Sequence, residues 1–237
     1  MNLRVARLLE GARSATGRVV IVDVFRAFTT AAFCVAAGAR EIVLVGDHEH
    51  ALAMKREDPS LFLTGEIDGR PIPGFDAGNS PTVIERLDLR GRRVVQRTSS
   101  GTQGVVAASG AREILLGSFV VAAATVRYLR GAEEATIVAM GEGGTKPSDE
   151  DEACAEYLAS RLAGRSPDVA AAVAKLWEHE DPNWPAWFPR RDAELACEVD
   201  RFDFALPVVR EDGLLVARPV RVSPATAGGA EPYQPRS

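Results

Sequence analysis

The hydrophobic and polar positions of the chain predict short buried strands that alternate with helices. Three apolar, β-branched runs bounded by turn or charged residues are typical of buried parallel strands, and they cover residues 19–23, 41–45 and 135–140. Weaker strand patterns cover residues 61–64, 93–96 and 113–116, and alanine-rich stretches of helical length cover residues 28–37, 102–109, 120–130 and 151–163. This alternation predicts an α/β fold with three layers, α/β/α, and a mostly parallel sheet.

A repeated segment suggests that one strand–loop–helix–strand unit occurs twice. Residues 30–42 read TAAFCVAAGAREI, and residues 102–114, which begin 72 positions later, read TQGVVAASGAREI. Gly38 and Gly110 stand where each helix would end in a left-handed residue. Chance recurrence in a chain rich in alanine and arginine is the alternative. A true repeat, with its second unit starting near residue 91, would place two equivalent polar loops at one edge of the sheet.

The C-terminal third does not follow this alternation. All three tryptophans lie within residues 177–189 and are interspersed with prolines, so this segment is an irregular loop or a lid rather than one regular helix. A helix over residues 192–200 and a terminal hairpin that joins 206–209 to 214–216 are expected next. The tail from residue 224 is rich in proline, glycine and alanine and is predicted to be disordered, which leaves residues 1–223 as a single domain.

Composition narrows the class of protein. The chain has 237 residues, of which 46% are hydrophobic and 26% charged, as in soluble globular proteins. A net charge of −5 argues against nucleic acid as a partner. No apolar run reaches the roughly 20 residues of a membrane helix, and the N-terminus lacks the apolar core of a signal peptide. The three cysteines are widely spaced, which favours reduced thiols over disulfides. Together these features predict a cytoplasmic protein without a membrane partner.

The first candidate for chemistry is the loop after the first apolar strand. In open α/β sheets ligands bind beyond the carboxyl ends of the strands, and Asp23 ends this strand while Arg26, Thr29 and Thr30 open the next helix. A buried carboxylate suits a divalent cation or serves as a nucleophile, whereas arginine and a helix N-terminus suit a phosphate or sulfonate. The alternative is a plain ion pair between Asp23 and Arg26 beside a threonine cap.

Two loop-like stretches in the next part of the chain are dense in oxygen donors. Glu66 and Asp76 are candidate ligands for Mg²⁺, which prefers carboxylates together with water. Asn79 and Ser80 could donate hydrogen bonds to a substrate. Ordinary turns are the alternative, because glycine, asparagine and aspartate are common in turns.

A hydroxyl-rich loop follows the strand pattern at 93–96. Ser100, Gly101 and Thr102 open the second copy of the repeated helix and could cradle a phosphate with their backbone N–H groups. The lysine and spacing of a P-loop are absent. Simple capping by serine and threonine is the alternative.

A run of four acids opens the helix predicted from residue 151. A serine cap followed by acids in the first turn accounts for part of this run. Four consecutive acids exceed what capping requires, so Glu150 or Asp151 could bind a metal or position a water molecule.

Taken together, these loops resemble the 2-phosphosulfolactate phosphatase family. The motifs that carry the resemblance are VVIVDVFRAFTTAAFCVAAGA, LTGEIDGRPIPGFDAGNSP, RTSSGT, GEGGTKPSDED and ELACEVDRFDFALPV, spread over residues 18–209. The resemblance implies an α/β/α fold, dependence on Mg²⁺, and hydrolysis of the phosphate ester of a small acidic molecule. The family's reaction converts 2-phosphosulfolactate to sulfolactate, a step toward coenzyme M.

The resemblance also implies which residues form the site. The family's signature falls on Asp23, Arg26, Thr29, Thr30, Glu66, Gly74, Asp76, Gly78, Asn79, Ser80, Pro81, Gly101, Thr102, Glu150 and Asp151. Two positions depart from it. Ser100 replaces an asparagine, and Ile67 replaces an arginine for which Arg70 could substitute, so the substrate could differ.

The expected site follows from these assignments. Asp23, Glu66 and Asp151 are predicted to hold Mg²⁺, and Asp76 or Glu150 to orient the attacking water. The groups expected to bind the substrate's phosphate are Arg26, Thr29, Thr30, Asn79, Ser80, Ser100, Gly101 and Thr102. The alternatives are another metal-dependent hydrolase or lyase on this scaffold and a non-catalytic module that binds anions. A covalent route through Asp23 and a homodimer are both left open.

Overall fold

One large, mixed sheet runs through the molecule. The computed structural model describes residues 1–176, 187–222 and 231–232. The strands are β1 (Asn2–Arg7), β2 (Gly17–Val22), β3 (Glu41–Leu44), β4 (Phe62–Ile67), β5 (Arg70–Pro71), β6 (Ala77–Gly78), β7 (Arg93–Arg97), β8 (Ala111–Gly117), β9 (Glu134–Ala139), β10 (Phe204–Ala205), β11 (Pro207–Glu211), β12 (Leu214–Ala217), β13 (Val220–Arg221) and β14 (Glu231–Pro232). The helices are α1 (Leu8–Ser14), α2 (Ala27–Ala36), α3 (His48–Glu57), α4 (Pro81–Ile84), α5 (Gly101–Ala107), α6 (Ala122–Tyr128), α7 (Asp149–Leu162), α8 (Val169–Lys175) and α9 (Arg190–Ala196).

The main sheet consists of two parallel groups joined by a hairpin. Its order is β1-β9-β2-β8-β11-β12-β3-β7-β4-β5, with β6 beside β4. Strands β1, β9, β2 and β8 are parallel to one another, and so are β3, β7, β4 and β6. The hairpin of β11 and β12 pairs antiparallel with both groups. The predicted α/β class and the predicted hairpin are confirmed, although the hairpin lies in the middle of the sheet.

The repeated segment corresponds to a repeated structural unit. Each copy is a strand, a helix and a strand, β2-α2-β3 and β7-α5-β8, and each crosses from one parallel group to the other. Equivalent ion pairs link adjacent strands, at 2.9 Å between Arg18 and Glu113 and 2.5 Å between Arg93 and Glu41. Each unit therefore contributes one strand to each half of the sheet.

The two copies differ where their helices end. Gly38 has φ +102° just beyond α2, as predicted, but Gly110 lies outside the left-handed region, so that part of the prediction is wrong. Helix α5 has seven residues against ten in α2, and it ends at Ala107. The turn after it therefore closes through other residues before Gly110 is reached.

The core shows why the loops after β2 and β7 can meet. Phe28 and Phe33 of α2 pack in one cluster with residues from both parallel groups, while the opposite faces of the groups pack against separate helices. Gln96 Nε2, in β7, donates a hydrogen bond to the carbonyl oxygen of Ala27 at 2.8 Å. Because β2 and β7 run in opposite directions and are separated by four strands, this contact requires a strongly curved sheet.

The C-terminal predictions have mixed outcomes. The helix expected over residues 192–200 is α9, which begins and ends a few residues earlier. Part of the predicted tail, at residues 231–232, forms β14 and pairs with β13. The rest of that tail and most of the tryptophan-rich segment, residues 177–186, lie outside the described residues. Within the part that is described, no helix has the length and apolar character needed to cross a membrane.

Gly65 provides a test of the close approach between β4 and β7. Its φ is +151°, and a Cβ at this position would lie 1.9 Å from the carbonyl oxygen of Arg97. Gly65→Ala should therefore lower the free energy of unfolding by at least about 2 kcal/mol, measured by urea denaturation. Gly131→Ala is the control, because Gly131 has φ +81° but open space around it, and the backbone alone should cost about 1 kcal/mol. Equal losses would contradict the predicted clash.

Candidate active site

A cavity of about 450 Å³ opens where the loops after β2, β4, β7 and β9 meet. The described residues that line it include five carboxylates, Asp23, Glu66, Asp68, Glu142 and Glu150, and one guanidinium, that of Arg26. The other lining residues are Phe25, Gly69, Asn79, Ser99, Ser100, Gly141, Gly143, Ser148, Trp187 and Phe188. The cavity is therefore strongly acidic.

Asp23 lies at the floor of this cavity and is almost fully buried. Its Oδ1 accepts a hydrogen bond from the Ala27 N–H at 3.0 Å. A Cβ at position 101 would lie 2.8 Å from Asp23 Oδ2, so Gly101 allows the second loop to approach closely. Burial, together with the charges of Glu66 and Glu150, raises the pKa of Asp23 to about 7, although hydrogen bonds from the backbone of Ala27 and Gly101 oppose the rise. This carboxyl group therefore titrates near neutral pH.

Asp151 joins the loops after β2 and β9 from behind the cavity. Its Oδ1 accepts the Val24 N–H at 2.7 Å, and its Oδ2 accepts the Gly141 N–H at 2.8 Å. Burial raises its pKa well above the ordinary value, and the charges of Asp23 and Glu150 add to this effect. Asp151 does not line the cavity. Asp151 therefore fixes two loops behind the cavity, and its role as a metal ligand stays a prediction.

Glu66 plays a similar part between the loops after β4 and β7, but it also lines the cavity. Its Oε1 accepts the Ser99 N–H at 2.5 Å, and its Oε2 accepts the Gly69 N–H at 2.6 Å and the Ser99 hydroxyl at 3.2 Å. Each oxygen thus has a donor from the protein. The carboxylate holds the loops in place and still faces the cavity.

Glu150 faces the cavity from the first turn of α7. Its pKa is raised by burial, and the charges of Asp149 and Glu142 raise it further. A carboxylate with a raised pKa accepts a proton more readily than an exposed one. Glu150 lines the cavity, and its role in positioning the attacking water stays a prediction.

Arg26 lines the same cavity and is held on several sides. Its Nη1 donates to Asp192 Oδ2 at 2.8 Å, and its Nη2 donates to the carbonyl oxygen of Gly69 at 3.3 Å. The guanidinium carbon lies 4.2 Å from the ring centroid of Phe188 and 5.9 Å from that of Trp187. The ion pair considered between Asp23 and Arg26 is thus replaced by one with Asp192. No motif in the sequence pointed to Asp192.

Two further predicted residues line the cavity. Asn79 is nearly buried, and its Oδ1 has no hydrogen-bond partner among the described residues. Ser100 also lines the cavity, but its hydroxyl donates to the carbonyl oxygen of Gly141 at 2.6 Å. Asn79 is therefore available to a ligand, while the Ser100 side chain closes the gap between two loops.

Asp76, which was predicted to orient the attacking water, lies apart from the cavity. It forms an ion pair with Lys55 at 2.6 Å and accepts the Leu63 N–H at 2.7 Å. Strand pairing places Asp76 beside Leu63, three residues before Glu66, which is about 10 Å along a strand. It fastens the start of β4 and does not line the cavity.

Four predicted phosphate-binding side chains lie away from the cavity, and three of them are hydrogen-bonded within the fold, whereas the hydroxyl of Thr30 has no partner among the described residues. Thr29 donates to the carbonyl oxygen of Val24 at 2.9 Å, Ser80 to Asp192 at 2.7 Å, and Thr102 to the carbonyl oxygen of Thr98 at 2.9 Å, while Thr30 is fully buried in α2. None of the four lines the cavity. We expected every hydroxyl that follows a strand to be able to reach a phosphate. At the start of a helix, however, the turn of the backbone directs these side chains into the protein.

Comparisons with known proteins identify the family of this chain. The family model described as 2-phosphosulpholactate phosphatase matches residues 5–193. The chain belongs to this family. It is similar to proteins named probable 2-phosphosulfolactate phosphatase. The one from Bacillus subtilis is 32% identical over 152 residues, 64% of this chain and 67% of that protein. The one from Deinococcus radiodurans is 40% identical over 145 residues, 59% and 60% of the two chains, and the one from Thermoplasma acidophilum is 31% identical over 204 residues, 86% and 90%.

The two departures from the family pattern can now be located. Ser100 links the loops after β7 and β9 as described. Arg70, considered as a substitute for the arginine replaced by Ile67, lies in the exposed strand β5 and does not line the cavity. Among the described lining residues, Arg26 is therefore the one arginine that can meet an anion.

The acidic side chains fit a loosely held Mg²⁺ ion better than a closed metal site. Within residues 1–176 and 187–222, no group of three histidine, cysteine, aspartate or glutamate side chains is arranged to hold a metal. Mg²⁺ in phosphate-binding sites, however, is usually held by one or two carboxylates together with water and the phosphate itself. Asp23, Glu66 and Glu150 line the cavity, and so does Asn79, whose buried Oδ1 has no hydrogen-bond partner among the described residues. This donor set fits such an ion.

The raised pKa of Asp23 gives a testable effect of pH on stability. An acid whose pKa rises on folding, here from 3.8 to about 7, destabilises the folded state increasingly as the pH rises through that interval. Asp23→Asn in metal-free buffer should therefore raise Tm above the wild-type value at pH 8, and the gain should shrink as the pH approaches 4. Each kcal/mol gained would add roughly 2–4 °C in a chain of this size.

The control for this experiment is a variant whose Tm should change in the opposite direction. Hydrogen bonds from Arg93 and Arg218 lower the pKa of Glu41 although burial opposes them. Glu41→Gln should therefore lower Tm at pH 8 and have less effect near pH 4. A gain for Asp23→Asn that does not vary with pH would contradict the assigned cause.

Proposed function

We propose that this chain, with the help of Mg²⁺, hydrolyses 2-phosphosulfolactate to sulfolactate and phosphate, or removes phosphate in the same way from a similar small phospho-acid. Membership of the family supports the phosphatase activity. The observation that carries the proposal is the single cavity in which Arg26 faces the carboxylates of Asp23, Glu66 and Glu150. A cytoplasmic location and a product that leads toward coenzyme M remain predictions from the sequence.

The charge of the cavity supports the requirement for a cation. Five carboxylates and one guanidinium line it, and that guanidinium is already paired with Asp192. A phosphorylated acid would be repelled by this wall unless a positive charge were added, because charges interact strongly at short range in a poorly solvated site. Asp23 with Glu66 or Glu150 would hold Mg²⁺, which when bound neutralises charge on the phosphoryl oxygens.

The side chains can be given roles from their positions. Arg26 keeps N–H groups beyond those used by Asp192 and Gly69, and these can bind substrate oxygens bidentately. The amide of Asn79 orients the substrate beside it. Glu150, whose pKa is raised, accepts the proton of the attacking water. A covalent route through Asp23 uses the same cavity.

The first experiment measures phosphate release from a panel of phospho-acids, including 2-phosphosulfolactate, with Mg²⁺ and with EDTA. We expect release that requires Mg²⁺ and favours substrates with a second anionic group. Loss of substrate without release of phosphate would instead indicate a lyase. Tight binding without turnover, measured by calorimetry, would indicate a module that only binds anions.

A pair of variants separates the site from its surroundings. Asp23→Asn should lower kcat/KM by at least about 100-fold, because it removes a charge inside the cavity. Asp76→Asn is the matched control, since Asp76 is paired with Lys55 outside the cavity, and it should stay within about threefold of wild type. Similar losses in both variants would mean that the cavity is not where the reaction occurs.

A further inference from the structure

A fully buried carboxylate outside the cavity holds the arginine inside it. Asp192, in α9, accepts hydrogen bonds from Arg26 Nη1 at 2.8 Å, from Ser80 Oγ at 2.7 Å and from the Thr82 N–H at 3.0 Å. Both of its oxygens are engaged, and its side chain has no solvent exposure. A helix from the C-terminal part of the chain is thus tied to a loop from its beginning.

Stability alone does not account for an ion pair in this position. Removing two opposite charges from water costs much of what their attraction returns, and apolar side chains of similar volume often serve as well. The other oxygen of Asp192 accepts neutral donors at the start of α4, for which an uncharged acceptor such as an amide oxygen could serve as well. The feature that needs the charge is the guanidinium itself, one edge of which faces the cavity.

Several carboxylates in the cavity could form an ion pair with Arg26. Asp23, Glu66 and Glu150 all line the same space, and a long, flexible arginine would pair with one of them if it were free. Such a pair would block the substrate's anion and also occupy oxygens proposed to hold Mg²⁺. Asp192, the Gly69 carbonyl oxygen and the Phe188 ring together keep the guanidinium at the wall.

We infer that Asp192 is a positioning residue, which orients Arg26 toward the oxygens of the bound substrate and keeps it from pairing with the cavity carboxylates. This inference rests on the proposed function, because the bound anion gives the orientation its purpose. Asp192 does not touch the substrate, so it acts entirely through Arg26.

The test compares full-length Asp192→Asn with wild type in three measurements. These are the KM and kcat of phosphate release, the Kd of inorganic phosphate by calorimetry in the presence of Mg²⁺, and the Mg²⁺ concentration that gives half-maximal activity. We expect KM and the phosphate Kd to rise about tenfold or more, kcat to change less, and the Mg²⁺ requirement to increase.

The control is another buried ion pair of the same fold. Glu41 is paired with Arg93 and Arg218 and does not line the cavity. Glu41→Gln should lower Tm while KM and the phosphate Kd stay within about twofold of wild type. The contrast separates a loss of stability from a loss of orientation.

A double-mutant cycle tests whether Asp192 acts through Arg26. In an Arg26→Met background, Asp192→Asn should have no further effect on the phosphate Kd. Independent, additive effects of the two substitutions would overturn the inference. If Asp192→Asn does not fold, Ser80→Ala removes one of the three hydrogen bonds and should raise the phosphate Kd by about two- to threefold; no change would overturn the inference.

The outcomes distinguish the inference from the proposed function. If wild type releases phosphate and Asp192→Asn leaves KM and the phosphate Kd unchanged, the inference alone fails and Asp192 only links helices. If wild type binds phosphate without turnover and Asp192→Asn weakens that binding, the proposed function fails and the positioning role stands. If wild type neither binds phosphate nor releases it, both fail.

Discussion

Buried carboxylates that accept backbone N–H groups from other loops hold the candidate active site together. Asp151 accepts hydrogen bonds from the N–H groups of Val24 and Gly141, and Glu66 accepts them from the N–H groups of Gly69 and Ser99. Asp192 accepts one from the N–H group of Thr82, in addition to those from its side-chain partners. A carboxylate that is desolvated needs such donors, and a loop that is not part of a sheet has backbone donors to offer. Each acid therefore obtains the hydrogen-bond donors that it needs, and in doing so it fixes the position of a loop around the cavity.

The repeated unit explains why these loops meet at all. Because each β-α-β unit crosses from one parallel group to the other, the loops after β2 and β7 approach each other across α2. Gly101 permits the closest approach, since any side chain there would meet Asp23 and Ala27. The β11–β12 hairpin completes the sheet between the two groups and leaves the cavity end open to ligands.

The local sequence was enough to predict the strands and several residues of the candidate site, because burial and position at a strand end leave a local pattern. Short apolar runs determine buried strands, so even the weak patterns at 61–64, 93–96 and 113–116 correspond to β4, β7 and β8. Asp23, Glu66 and Glu150 were candidates because the first follows a strand, the second lies near the end of one and the third opens a helix, at the edge of the sheet where ligands bind. The sequence could not show that Asp76 lies outside the cavity, because its position depends on its pairing with β4, which is a non-local property. Asp192 was missed because its partner lies 166 residues away along the chain.

The same charges that shape the cavity make its two proposed ligands depend on each other. Without a cation, the carboxylates of Asp23, Glu66 and Glu150 raise the cost of admitting a phosphate, and the raised pKa of Asp23 reflects that repulsion between like charges as well as its burial. Without an anion, a cation held by one or two side chains lacks part of its coordination. Under the proposed function, the affinity for Mg²⁺ and the affinity for phosphate are therefore linked, and each must increase by the same factor when the other ligand is bound. Arg26, already neutralised by Asp192, contributes orientation to this pair of ligands more than net charge.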